Sequence, residues 1–180
     1  VRLIEEIKDE IMYLESIINA LDIATTENDL NNIKEELIIT GYIKKNSKSK
    51  SKDNKNNKPL HYISSDGFDM YVGKNNLQND ELTFKFASNS DWWFHAKQMP
   101  GSHVIVKTNG KELPDRTFEE AAALEAYYSK GRDLDKVEVD YVLKKEVKKP
   151  AAAKPGFVVY YTNYSLIAIA DIKGIKEVTG

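Results

Sequence analysis

The apolar positions of the first 22 residues repeat at helical spacing. They are separated by steps of three and four residues, which places them on one stripe of a helix at the a and d positions of a heptad. The members of this stripe are Ile4, Ile7, Ile11, Leu14, Ile18 and Leu21. We therefore predict a helix over residues 2–22. A second helix is predicted from Thr26, with Asp29 completing its cap, to a stop at Gly41.

The apolar stripe needs a partner, and two arrangements would provide one. The second helix, burying Leu30, Ile33 and Leu37, could close on the first as a hairpin. Alternatively, the first helix is the end of a coiled coil whose partner helix lies upstream. We favour the coiled coil because the stripe is longer than the second helix can cover. Since the repeat is already in progress at Val1, the chain is expected to be the C-terminal part of a longer protein.

From His61 onwards the apolar period changes to two, which is typical of strands. We predict a hairpin around a type I′ turn at Asp66–Gly67, and paired strands over 91–97 and 103–108 joined by a type II turn at Pro100–Gly101. A further strand is predicted over 137–143. A last hairpin is predicted from segments 157–161 and 166–170.

Two helices are predicted between these strands. A short one begins at Asn79 and carries Leu82 and Phe86 inward, although the alternation of that segment also fits a strand. A long one begins with a capping box of Thr117 and Glu120 and stops at Gly131. The fold class is therefore α+β: a mostly antiparallel sheet of about six strands with one long helix, preceded by a helical segment.

Charge divides the 180 residues into three segments. Residues 1–43 carry three basic and ten acidic side chains, whereas residues 44–58 carry seven lysines and one aspartate. The remaining segment, 59–180, is close to neutral. We predict a coiled-coil end, a flexible linker and an α+β domain over these three segments, because residues 44–58 have no apolar side chain to bury. The linker lysines could tether phosphates, but linkers are ordinarily polar and we favour that explanation.

Composition excludes several classes of protein. The chain has no cysteine, which rules out disulfides and thiolate metal sites. It has no apolar run long enough to span a membrane and no signal peptide, so no membrane partner is predicted and a cytoplasmic location is expected.

Two histidines in neighbouring strands raise the question of a metal or acid–base site. With Pro100 and Gly101 as a two-residue turn, position i pairs with 201 − i, so His95 and His103 lie on opposite faces of the sheet and cannot share one ion. A longer loop would reopen this possibility.

Aromatic and amide side chains cluster within residues 73–106. The consecutive aromatics Trp92, Trp93 and Phe94 must point to both faces of a strand, so at least one belongs to the core and another could present a stacking surface. The amide-rich loop 74–79 could brace its own backbone, contact RNA, or do both.

Five sequence runs resemble one family: VGKNNLQND, LTFKFA, DWWFHAKQMPGSHVIV, VDYVLKKEVKKP and AKPGFVVY. Together they resemble the NFACT-R domain, the RNA-binding module of the family that includes RqcH, the fibronectin-binding protein A homologues and NEMF. Residues 1–43 are similar to the end of the coiled-coil segment that precedes this domain in the family, which would supply the upstream partner helix.

The resemblance implies a non-enzymatic module without a cofactor. Its partners would be tRNA and the large ribosomal subunit, and it would support the addition of a C-terminal alanine tail to stalled nascent chains. The family's other name implies fibronectin as an alternative partner, in a protein–protein or adhesion module. A third hypothesis, a metal-dependent hydrolase, requires His95, His103 and an aspartate to converge.

The resemblance also implies which residues bind RNA. These are Lys74, Asn75, Asn76, Asn79, Asp80, Asp91, Trp93, His95, Ser102, His103, Lys145, Lys148, Lys149 and Lys154, together with the turn at Pro100 and Gly101. We expect their side chains to emerge together on an outward patch. The chain departs from the family pattern at Lys74, where arginine is frequent, and at Ala152, where glycine is common.

Overall fold

A computed structural model describes residues 1–47 and 57–179. Most of the predicted linker, 44–58, therefore lies outside the described residues. The helices are α1 (Arg2–Ile23), α2 (Glu27–Ile39), α3 (Asn76–Glu81) and α4 (Asp115–Tyr127). The strands are β1 (Leu60–Ile63), β2 (Asp69–Val72), β3 (Trp92–Ala96), β4 (Val104–Val106), β5 (Val137–Leu143), β6 (Tyr164–Ala168) and β7 (Lys176–Glu177).

These strands form one antiparallel sheet in the order β6-β5-β3-β4-β2-β1-β7. The predicted α+β class with a helical N-terminal part is confirmed, with seven strands in the described part of the chain rather than about six. Helix α4 covers one face of the sheet, where Phe94 and Val104 are buried with Leu124. The opposite face carries Trp93 and Ile105 and is covered by other segments.

The two N-terminal helices pack together without using the predicted stripe. Their contact is made by Tyr13, Ile17 and Ala20 of α1 with Ile33 of α2. All six stripe residues remain exposed. The capping box of Thr26 and Asp29 is confirmed, and Gly41 follows α2 with a positive φ of 85°.

Burial by α2 matches the prediction only in part. Ile33 is buried and Leu37 is partly buried, but Leu30 is exposed. Helix α2 thus leaves the heptad stripe of α1 available to another partner.

The predicted register of β3 and β4 is wrong. Trp92 pairs with Val106 and Phe94 with Val104, so paired positions sum to 198 rather than 201. The connection is a seven-residue loop, 97–103, and Gly101 does not have the positive φ that a type II turn needs. Because the shift is odd, it moves His103 to the face that carries His95.

Helix α4 begins two residues before the predicted cap, at Asp115 after Pro114. Thr117 instead donates a hydrogen bond to Asp66 (3.1 Å), and Glu120 accepts one from the Ser65 amide (3.0 Å). The predicted capping box therefore attaches α4 to the β1–β2 loop. In that loop only Gly67, and not Asp66, has a positive φ, so the predicted type I′ turn is also wrong although the hairpin exists.

The structure also differs from the sequence predictions at the start of α3 and at the predicted last hairpin. Asn75 rather than Asn79 caps α3, and α3 continues into a π-helical turn, Leu82–Phe86. Leu82 is buried as expected, but Phe86 is exposed. Segment 157–161 forms only a single bridge between Val159 and Lys148 and lies over the sheet, so the predicted last hairpin is wrong.

Candidate nucleic-acid interface

The predicted site residues gather on the sheet face opposite α4. Trp93 and His95 alternate with Phe94 along β3, and alternation sends the first two away from α4. Helix α3, the basic loop (residues 144–156) and the N-terminal helices surround this face. The sequence therefore places its unusual residues in one region, but their exposure differs widely.

The amide-rich loop is braced by its own side chains. The Asn75 side chain accepts a hydrogen bond from the Gln78 amide (2.9 Å) and caps α3. The Asn79 side chain accepts one from the His103 amide (3.0 Å). Both asparagines are buried, so they position backbone and cannot reach an external partner in this arrangement.

Lys74 and Asn76 attach the N-terminal helices to the sheet domain. The Lys74 ammonium donates to Asp29 of α2 at 2.7 Å, and both side chains are largely buried. The Asn76 side-chain Nδ2 donates to the carboxyl of Glu36 of α2 (3.0 Å) and to the hydroxyl of Ser16 of α1 (2.9 Å). We call Lys74, Asn76, Asp29 and Glu36 the latch.

Burial and hydrogen bonding act differently on the two latch carboxyls. Burial raises the pKa of Glu36, and the hydrogen bonds from Tyr13 and Asn76 only partly oppose this. Burial also acts to raise the pKa of Asp29, but the Lys74 ammonium and the backbone amide of Thr25 together hold it below its ordinary value. Asp29 and Lys74 therefore form an ion pair at neutral pH.

Asp91 is a buried structural carboxylate. It accepts hydrogen bonds from the Lys107 ammonium (2.6 Å) and from the amides of Ser88 (2.7 Å) and Thr108 (3.0 Å). These contacts join the start of β3 to the end of β4. Asp91 is thus saturated by internal donors.

The two histidines lie side by side, contrary to the prediction. Their ring centroids are 5.7 Å apart in an edge-to-face contact, and the His95 ring lies nearly parallel to Trp93. Burial lowers the pKa of both histidines, most strongly for His103, whose ring also bonds Thr83 (2.8 Å). Both are neutral at physiological pH. His103 is buried, whereas His95 is partly exposed.

The β3–β4 loop packs against the buried side chain of Glu125, which was not among the predicted site residues. Glu125 of α4 accepts hydrogen bonds from the amides of Ala96 (3.1 Å) and Ser102, and Gly101 passes so close that a side chain there would collide with it. Pro100 and Ser102 are buried beside it. The sequence signal that could have identified Glu125 is its position, four residues after Ala121 on the apolar face of α4.

Only part of the basic loop faces solvent. The Lys149 ammonium is held by Asp80 (3.1 Å) and by the carbonyls of Lys154 (2.6 Å) and Phe157 (3.0 Å). Lys145, Lys148 and Lys154 are exposed. Phosphate contacts are therefore open to these three lysines, while Lys149 and Asp80 shape the loop.

Ala152 sits at the crest of this loop in a left-handed conformation, with φ of 58°. Residues that have a side chain rarely adopt this backbone conformation, whereas glycine adopts it freely. The glycine that the resemblance implies at this position would therefore have a conformational reason.

A cleft of about 510 Å³ opens between α1, the β3–β4 loop and the basic loop. Trp93, His95 and His103 line its inner surface, and Lys154 lies at the wall formed by the basic loop. Tyr13 of α1 belongs to the opposite wall, with its ring 4.8 Å from the Lys154 ammonium. The cleft brings together site residues from distant parts of the sequence.

The expected single outward patch is therefore not observed. Asn75, Asn76, Asn79, Asp91, Trp93, Ser102 and His103 are buried, and Lys74, Asp80, His95 and Lys149 are partly buried. The buried members hold the loop, the latch and the cleft in place. Direct contact with RNA is open mainly to the lysines and to His95.

The convergence that the metal-dependent hydrolase hypothesis requires is not found among the described residues. Within residues 1–47 and 57–179, no three histidine, aspartate or glutamate side chains are arranged to hold an ion, although His95 and His103 are adjacent. Among the helices that the structure describes, none combines the length and apolar character needed to cross a bilayer.

Comparison with known proteins covers nearly the whole chain. Residues 58–162 match the NFACT protein RNA binding domain, and residues 1–56 match the NFACT N-terminal and middle domains. The Rqc2 homolog RqcH of Streptococcus suis is 47% identical over 159 residues, which are 88% of this chain and 28% of that protein. The Rqc2 homolog RqcH of Bacillus subtilis is 39% identical over 166 residues, which are 91% of this chain and 29% of that protein.

A solved structure has the same fold. It is the C-terminal part of the fibronectin/fibrinogen-binding protein from Streptococcus suis, with a TM-score of 0.88 and 44% identity, and the match covers 97% of this chain and 70% of that one. The chain spans less than a third of the length of the curated relatives named above. The matched domain and these relatives together show that the chain belongs to the NFACT family of ribosome quality-control factors and contains its RNA-binding domain.

Proposed function

We propose that this chain is a non-enzymatic RNA-binding module that engages tRNA and the large ribosomal subunit and supports C-terminal alanine tailing of stalled nascent chains. The observation that carries this proposal is the match of residues 58–162 to the NFACT RNA-binding domain. The exposed lysines on the basic loop, next to a cleft lined by aromatic rings, support it. Such a factor acts in the cytoplasm.

The exposed lysines 145, 148 and 154 neutralise phosphates in this proposal, and His95 contacts RNA from within the cleft. The buried motif residues act indirectly by fixing the loop and the cleft. This division explains how a motif rich in polar residues can serve RNA binding while most of its side chains are internal.

The three predicted segments take separate roles in the proposed module. Residues 59–180 form the RNA-binding domain, residues 44–58 the linker, and residues 1–43 the end of a coiled coil. The exposed stripe of α1 supports an upstream helix of the full-length chain as its partner, because its six apolar residues follow heptad spacing and α2 leaves them uncovered.

Replacing Lys145 and Lys148 together with alanine is expected to weaken tRNA binding several-fold and to reduce the dependence of affinity on salt. Each phosphate contact releases counterions, so the slope of log affinity against log salt falls by about one for each lost contact. Fluorescence anisotropy with labelled tRNA over a series of salt concentrations measures both quantities.

The matched control is the double change of Lys173 and Lys176 to alanine. It alters the net charge equally but lies near β7, at the other edge of the sheet from β6 and β5. If both double variants lose the same affinity, binding follows total charge and the basic loop has no special role. Weak wild-type binding without any salt slope would contradict the proposed function.

Fibronectin binding is the second candidate function, favoured by the name of the solved Streptococcus suis protein. A pull-down comparing immobilised fibronectin with large ribosomal subunits at physiological salt separates the two. We expect retention on the ribosomal subunits. Retention on fibronectin alone would replace the RNA proposal with an adhesion role.

A further inference from the structure

His95 and Tyr160 present partly exposed aromatic rings to the cleft, and the buried Trp93 ring lies behind them. The Trp93 and His95 rings are parallel within 7°, with centroids 5.7 Å apart, and Tyr160 packs against Trp93 at 4.9 Å. Flat rings present favourable faces and edges to another flat ring. The cleft volume of about 510 Å³ lies within the roughly 300–1,000 Å³ range of sites that enclose small ligands.

The polar groups of the cleft are mostly neutral. Because burial lowers the pKa of His95, its ring offers one donor and one acceptor. The Trp93 indole N–H is buried without a hydrogen-bond partner among the described residues. A neutral ligand edge with donors and acceptors satisfies the partly exposed His95 ring better than an ion does.

The positive charge of the cleft lies on its basic-loop side, at Lys154, and not among the buried rings. The Lys154 ammonium is above the Tyr13 ring at 4.8 Å, and Lys145 and Lys148 are exposed on the same loop. An aromatic interior beside an ammonium group matches a flat heterocycle joined to a phosphate. An aromatic side chain of a protein could occupy the interior of the cleft, but it has no phosphate to pair with the lysines.

We propose that this cleft binds one unstacked nucleobase of single-stranded RNA, with the adjoining phosphate against Lys154. The inference rests on the proposed function and adds the part of the RNA that is recognised. It also makes α1 one wall of the site, through Tyr13 and Ser16. The N-terminal helices therefore help to bind RNA as well as to carry the coiled coil.

The test uses the 180-residue chain and fluorescence anisotropy with three RNAs. These are a single strand of about eight nucleotides, the same strand with abasic riboses, and a duplex without loops. We expect the wild type to bind the intact single strand about tenfold more tightly than the other two at equal salt, since base stacking on aromatic rings contributes on that scale.

Two variants fill the cleft without removing a charge: Ala153→Phe, and Ala151→Phe at an exposed position. Both should lose the preference for the intact strand and keep the wild-type salt slope. Ala123→Phe, on α4 and outside the cleft, is the matched control and should keep the preference. The exposed Ala151 provides the decisive variant if Ala153→Phe does not fold.

Several results would overturn this inference. Equal wild-type affinity for intact and abasic strands, or an unchanged preference in Ala151→Phe, removes the base site while the salt-dependent proposed function stands. Displacement of the strand by N-acetyltryptophanamide but not by adenosine monophosphate would assign the cleft to a protein side chain. Failure of the wild type to bind any RNA at low salt would overturn both proposals.

Discussion

Changing Asp91 to alanine is expected to lower the free energy of unfolding by about 3–5 kcal/mol. The substitution leaves the backbone amides of Ser88 and Thr108 without their acceptor and Lys107 without its ion-pair partner, in a region where Asp91 itself is 1% exposed. Unpaired donors and charges in such surroundings are costly. Urea unfolding followed by tryptophan fluorescence measures the change, because both tryptophans lie on β3.

Asp133→Ala is the matched control, since Asp133 is exposed, and it should change the free energy of unfolding by less than about 0.5 kcal/mol. The Asp91 variant also separates structure from recognition. If Asp91→Ala keeps wild-type stability but loses RNA affinity, Asp91 contacts RNA directly and its assignment as an internal brace is wrong.

Changing Glu125 to glutamine is expected to remove a pH dependence from the stability of the protein. Burial raises the pKa of Glu125 well above its ordinary value of 4.5, and the hydrogen bonds from Ala96 and Ser102 only partly offset this. The folded protein thus keeps the proton at a pH where the unfolded chain has lost it. Glutamine preserves the shape and the acceptor oxygen but does not titrate.

The direction of this pH dependence follows from the raised pKa of Glu125. The contribution of Glu125 to stability is complete below about pH 4.5 and is lost as pH rises towards the pKa of the folded state. In that window the wild-type free energy of unfolding should fall, relative to Glu125→Gln, by about 1.4 kcal/mol per pH unit. Urea unfolding at a series of pH values measures the difference, and parallel curves for the two proteins would show that Glu125 is ionised in the folded state.

Local sequence patterns predicted the elements of the fold well. The heptad stripe located α1, and Thr26 with Asp29 located the start of α2, because both depend on contacts within one or two helical turns. Alternating apolar residues located β5 for the same reason. These features need no knowledge of distant parts of the chain.

Features that depend on tertiary contacts were mispredicted. Gly101 looked like a turn glycine, but its role is to let the backbone pass close to Glu125, which lies in another element. The loop that makes this contact has seven residues, and the register differs from that of a two-residue turn. Thr117 and Glu120 fit a capping box, yet both bind the β1–β2 loop instead.

The sequence indicated which residues gather around the cleft, but not which of them are buried. An asparagine in a loop can brace backbone or contact a ligand, and the sequence alone does not distinguish the two. Asn75 and Asn79 turned out to be internal. The buried carboxyl of Glu36, which holds Asn76, was missed because a glutamate on a helix is ordinarily exposed.

Helix α1 has the geometry of a lever whose pivot is its contact with the sheet domain, where the Ser16 hydroxyl accepts a hydrogen bond from the Asn76 side chain (2.9 Å). Its residues 2–12 are exposed and project about 16 Å beyond Tyr13, at 1.5 Å per residue. A tilt of about 10° at the pivot would swing the far tip by about 3 Å by simple trigonometry on that length. The same tilt would move Asp9, which lines the cleft about 6 Å along the helix from Tyr13, by about 1 Å, so the angle of α1 sets the width of the cleft.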